Sequence, residues 1–326
     1  MPNTFLKPTK IANTAVGLLL RELVIARTMW TDAINPGEFV GAFNDTVTLR
    51  VPARRSARTR TLRAGTAIVN DTSAEFGVAV KLDTDIYNGA PITDEEFTLD
   101  IVDFGSQVLM PQIRAVAEGL EDIAFAEIET ATYQGSMTIN ADATDLVVSG
   151  ATDWYLVANR ARRLLNRKDV PLSNRTLLIA PDIEEDILGS DRFTRNDSIG
   201  ASGESALREA IIGRIAGFNV ITSNALDDGQ AYAYQKSAFV LAARAPRVPQ
   251  GVNMGTTRQL SEAQGAVGYV GGIGTRWIMD YDYTNTTDRS LVSTWAGTAT
   301  VTDPVTPTDP ESAMVLNRAV KIINGS

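Results

Sequence analysis

The sequence predicts an α+β chain. Three observations carry the prediction: two period-two runs near the N-terminus, one long one-sided helical pattern after them, and a middle third in which helices and strands take turns. At 326 residues the chain suits one large or two ordinary domains. Hydrophobic residues make up 44%, enough for a sizeable core, but aromatics only 7%, so small aliphatics must fill it.

Residues 1–10, with Pro2 and Pro8, read as an irregular arm leading into a helix over 11–28. Its apolar stretch is interrupted by Arg21 and Glu22, so it is too short and too charged to span a bilayer, and no membrane partner is expected. Asn35, Pro36 and Gly37 end it. Val47, Leu49 and Val51 then alternate with Thr46, Thr48 and Arg50, the pattern of a half-buried strand. A second such run, Phe76, Val78, Val80 and Leu82, returns after the turn-formers Asn70 to Ser73. Together they predict a two-stranded projection with arms of about 50 Å, too long to be stable alone. Between Arg50 and Arg63 lie six arginines (Arg50, Arg54, Arg55, Arg58, Arg60 and Arg63) and no acid.

An acid-rich turn at 91–96 and a short strand at 97–102 precede the strongest helical signal. Leu109, Ile113, Val116, Leu120 and Ile123 recur at spacings of four and three, which places them on one face of a helix over 104–129. Pro111 near its start is tolerated there. The other face carries Glu118, Glu121, Asp122, Glu127 and Glu129. From 150 to 250 the texture changes: helix 153–167, strand 176–180, a helix opened by Pro181, a polar loop over 189–205, helix 206–216, then strands at 220–223, 232–234 and 238–243. That alternation predicts a compact α/β domain. Beyond it, runs at 266–283 and 291–301 return to strand, and 315–323 gives a final strand or helix after a proline-punctuated linker.

Composition excludes much chemistry. With neither Cys nor His, the chain has no thiol nucleophile, imidazole base, zinc site or disulfide. The glycines from Gly265 to Gly274 lack the spacing of a phosphate loop. Asp83, Asp85 and Asp94 fit three places of a calcium loop, but Asn88 stands where that loop requires glycine, so a solvated turn is expected. Glu184, Glu185, Asp186, Asp280 and Asp282 have no nucleophile or oxyanion motif beside them. No catalytic residue, metal site or cofactor is expected. A net charge of −9 argues against bulk attraction to nucleic acid. The arginine run lacks the interleaved aromatics of a nucleic-acid platform, and its guanidinium forks suit carboxylates across a protein interface. The expected partner is an acidic surface of a neighbouring subunit, and Glu118, Glu121 and Asp122 are expected among the inter-subunit contact residues.

This order of parts resembles the major capsid proteins of tailed double-stranded DNA phages, with the Hong Kong 97-type fold. The closest local matches are 92–97 leading into 109–112, then 212–220, then 238–246, and the likeness is nearest to the short-tailed enteric-phage coat proteins. The resemblance implies an N-terminal arm (1–44), an extended β-hairpin loop (45–90), a peripheral domain with a spine helix (91–149), an axial domain (150–250) and returning peripheral strands with a C-terminal segment (251–326). It implies a non-enzymatic coat protein forming pentamers and hexamers of an icosahedral virion shell around double-stranded DNA, assembled in the host bacterial cytoplasm. A separate scaffolding protein, a portal and a decoration protein would be partners, with only weak contact to DNA. Some members weld subunits through an extended-loop lysine, but residues 50–80 contain none and Lys81 is the only nearby candidate, so no covalent cross-link is expected. The alternatives are an encapsulin-like nanocompartment shell, which shares the fold, and a carboxylate- or metal-dependent hydrolase.

Overall fold

The computed structural model describes residues 23–32, 46–51, 57–63, 65, 67–68, 76–96, 104–139, 147–148, 151–190, 213–249, 254–259, 274–282, 284, 287–305 and 313–324. Helix α1 is Met110–Thr130, α2 Trp154–Arg167 and α3 Pro181–Gly189. The strands begin with β1 (Thr46–Val51), β2 (Phe76–Lys81), β3 (Thr84–Thr93), β4 (Tyr133–Ile139), β5 (Val147–Val148), β6 (Ala151–Thr152), β7 (Arg175–Ile179) and β8 (Arg214–Ile215). They continue with β9 (Phe218–Thr222), β10 (Gln230–Gln235), β11 (Phe239–Arg244), β12 (Met254–Gln259), β13 (Gly274–Asp282), β14 (Thr287–Thr300), β15 (Asp303–Pro304) and β16 (Met314–Asn324).

The contacts divide the chain into two units. The first draws on Met1–Val47, Val80–Thr130 and Phe239–Ala299. Its sheet runs β11-β14-β13-β12, with β3 also paired to β14, and α1 packs on β3. The second draws on Thr48–Ala79, Ala131–Ala238 and Thr300–Ser326. Its sheet runs β15-β16-β10-β7-β9-β8, with β4 parallel to β16. Strand β7 is buried at all five positions, which is why Thr176, Leu177, Leu178 and Ile179 form an unbroken apolar or β-branched run. Strands β1 and β2 form a separate two-stranded sheet, and β5 pairs β6.

Most predicted elements stand where their patterns put them. Asp153 caps α2 by accepting from the amides of Tyr155 and Leu156 at 3.1 and 3.3 Å, and Pro181 opens α3. Several expectations need correction. Residues 83–94 are not a solvated turn: 84–93 is the ten-residue strand β3. Its inward positions, Ile86, Asn88, Ala90 and Ile92, include a polar and a small residue, which breaks the apolar alternation that reveals a strand. Residues 213–216 are not helical but belong to the tight β8–β9 hairpin, where Ala216 and Gly217 have φ of 48° and 87°. In the N-terminal segment, 26–28 is a 3-10 turn rather than the end of an α-helix. Among the described residues each hairpin strand has six, about 20 Å, and 57–63 carry no ladder, while 52–56 and 69–75, on which the 50 Å reach depends, lie outside them. The strand over 97–102, the helix over 206–212, the loop around Ser202 and Gly265 to Gly272 lie outside the described residues.

Candidate assembly surface

The hairpin is built by period-two alternation: β1 and β2 each expose every second residue, and Val51, last in β1, and Val80, near the end of β2, are buried. Gly77 lets the strands meet, since a Cβ there would lie 2.6 Å from the Thr48 methyl. Arg50 is exposed on β1, and Arg58, Arg60 and Arg63 are exposed in the connecting segment; Arg54 and Arg55 lie outside the described residues. Arg63 at φ 68° and Gly65 at φ 66° turn the chain through the left-handed region. Arg50, Arg58 and Arg60 also take part in interactions within the chain. Beside them stand Leu62, 86% exposed, and Ile68, 73% exposed. The sequence reading passed over these two aliphatics because the arginines dominate the segment. Arginine is among the residue types enriched at protein interfaces.

Helix α1 is fixed by one apolar stripe and three polar pins. Leu109, just before it, and Ile113, Val116 and Leu120 within it are buried as predicted, whereas Ile123 is only half-buried. The stripe continues instead through Ala117, Ala124 and Ile128, because a straight helix of 3.6 residues per turn drifts away from a strict four-three spacing. Gln112 is the first pin. Its Nε2 donates to the Ser290 carbonyl at 2.9 Å, and its Oε1 accepts from Ser290 Oγ at 2.7 Å. Ser290 Oγ in turn accepts from Trp277 Nε1 at 3.0 Å, so this buried polar group is satisfied within the sheet. Glu127 is the second, accepting from Thr298 Oγ1 at 3.0 Å.

Glu121 is the third. Its carboxylate accepts from the amides of Val24, Ile25 and Ala26 at 2.7, 2.7 and 3.1 Å. Burial pushes this carboxyl above its ordinary value, the three N–H donors pull it down, and the neighbouring Asp122 charge pushes it up again. The three acids expected to face a neighbouring subunit therefore separate. Glu118 and Asp122 are exposed, while Glu121 is engaged by its own chain. No sequence pattern signals this partnership, because donor and acceptor are almost a hundred residues apart and the donors are backbone.

In the second unit, Arg318 grips Asp303 through Nε and Nη2 at 2.8 and 2.6 Å and reaches Ser237 Oγ at 2.8 Å. These residues line a cleft of about 700 Å³ with Lys168, Asp169 and Gln134. Two of the carboxylates weighed as general acids, Asp186 and Asp280, have structural occupations. Asp186 accepts from Trp154 Nε1 at 3.3 Å, and Asp280 pairs with Arg289 at 3.0 Å. Among the described residues no three acids gather to hold a metal ion, and no helix is long and apolar enough to cross a membrane.

Comparison with known proteins bears on this arrangement directly. A family model described as phage capsid protein matches residues 76–306. No curated protein matches the chain significantly in sequence. Among solved structures, the chain is similar to one from Mycobacterium phage Che8, at 14% identity over 92% of this chain and 90% of that one, TM-score 0.58. It is also similar to the capsid structure of cyanophage P-SCSP1u, at 12% identity over 93% and 88%, TM-score 0.58. A third is the capsid of a native GTA particle, at 9% identity over 100% and 93%, TM-score 0.56. At such identities the likeness is one of fold, and that fold is the Hong Kong 97 type. With the family model spanning most of the sequence, this chain belongs to the phage capsid protein family.

Proposed function

We propose that the chain is the major coat protein of a tailed phage, of the short-tailed enteric type, closing an icosahedral shell from pentamers and hexamers. The family match over 76–306 carries this reading. The shell protein works without catalysis. It holds its neighbours by non-covalent contact, since residues 50–80 offer no lysine for a weld. Assembly takes place in the host cytoplasm with a separate scaffolding protein and a portal. Double-stranded DNA fills the shell against an acidic chain that grips few phosphates, and a decoration protein is a further partner. Arg50, Arg54, Arg55, Arg58, Arg60 and Arg63 meet acids of a neighbouring copy, Glu118 and Asp122 among them, and Leu62 and Ile68 add apolar area to that contact.

Light scattering and negative-stain microscopy of the purified protein, with and without its scaffold and across salt and concentration, test the proposal. Shells, or rings of five and six copies, are the expected outcome. A monomer or dimer under every condition, scaffold included, would overturn it.

A further inference from the structure

We infer that Glu121 seats residues 23–31 as a strap on the first unit, and that a subunit must have this strap seated before it can join a shell. The first half rests on geometry. Three consecutive amides converge on one carboxylate, at the start of the 3-10 turn Ala26–Thr28, where N–H groups have no partner within the turn. Side chains bind the strap as firmly as its amides do: Leu23, Ile25, Ala26 and Met29 are all buried. Beyond the turn, the Trp30 amide donates to the Phe239 carbonyl at 2.9 Å, and the Leu241 amide donates to the Trp30 carbonyl at 3.4 Å. The strap is thus held to α1 at one end and to β11 at the other.

The coupling is reciprocal. Without the strap, Glu121 loses three charge-assisted donors together with the backbone that covers it. Without the Glu121 carboxylate, the strap's amides lose their acceptor. A partly seated strap would keep these groups covered but unpaired, so intermediate positions are disfavoured and the strap behaves as seated or unseated. An unseated strap would uncover Leu23, Ile25 and Met29 together with the α1 surface beneath them. A subunit in that condition presents the wrong surface to its neighbours. This second half rests on the coat-protein reading; the seating itself does not.

The test uses the full chain carrying Glu121→Gln, which keeps the side chain's size but replaces one acceptor oxygen with a donor. Amide hydrogen exchange on unassembled protein should be faster by about tenfold or more at residues 24–26 and 30, with β7 and β10 of the second unit unchanged. Shell yield should fall in parallel. Unchanged exchange at 24–26 would overturn the seating, and faster exchange with full shell yield would overturn the assembly requirement. If wild-type chain forms no shell under any condition, the coat-protein reading and with it the assembly requirement fail, while exchange still decides the seating. Should Glu121→Gln not fold, Val24→Pro removes one donor from the strap side at an exposed position, and the same readouts apply at residues 25 and 26.

Discussion

At the scale of single residues, two positions show how tightly the backbone and the charges are placed. A Cβ at Gly297 would lie 1.8 Å from the carbonyl oxygen of Lys81, so β14 and the base of the hairpin touch backbone to backbone. Gly297→Ala should destabilise the first unit by at least about 1–3 kcal/mol, read from the urea midpoint, as overpacking against an unyielding neighbour does. Lys168 follows α2, and its buried Nζ has no hydrogen-bond partner. Burial holds its amine below the usual lysine value of 10.5. The folded state therefore binds fewer protons than the unfolded one between that lowered value and 10.5, and stability should rise with pH across this window. Lys168→Met should abolish that rise, and urea midpoints at several pH values would show whether it does. Neither position declares itself in the sequence. A glycine in an alternating run reads as a bulge, and a lysine after a helix reads as a favourable charge at its C-terminus; only the neighbours brought from elsewhere decide.

At the scale of elements, most of the helix stripe and the prolines at the helix starts were legible because their causes are local. Leu120 is fully buried, so Leu120→Ala should cost about 2–5 kcal/mol, whereas Ile123→Ala, at a half-buried site, should cost clearly less; equal losses would contradict the drift of the stripe towards Ala124. The turn after β3 is closed by a reciprocal pair: the Thr93 amide donates to Glu96 Oε2 at 2.9 Å, and the Glu96 amide donates to Thr93 Oγ1 at 3.2 Å. The Thr93 amide holds the Glu96 carboxyl below its ordinary 4.5. Its contribution is complete above 4.5 and is lost as pH falls through the lowered value, so the Thr93 amide signal should shift with that titration in an NMR series. Strand β3 escaped the sequence reading for the opposite reason. Its alternation is visible only once α1 supplies the face that Ile86 and Ile92 cover.

For the whole molecule, composition and order carried more than any motif. The absence of Cys and His removed most catalytic chemistry, and the order of parts resembled the tailed-phage capsid proteins, a resemblance with which the family match agrees. Reversing Arg58 and Arg60 to Glu should lower shell yield and make the remaining shells fall apart at lower salt, since exposed charge contacts weaken once the screening length drops to about 10 Å near 0.1 M. Sedimentation across a salt series measures this, and unchanged yield and salt resistance would remove these arginines from the interface. What the sequence could not convey is how the chain is shared out between the two units. Strand β16 pairs with β10 and, in parallel, with β4, so residue 320 lies beside residue 135. The first unit likewise joins residues near 90 to residues near 290. Neither unit can complete its sheet while the ribosome has yet to make those late strands. Nascent chains queued on one messenger would then carry no finished shell-building surface, and until the late strands arrive their open sheet edges are the part of the molecule most exposed to aggregation.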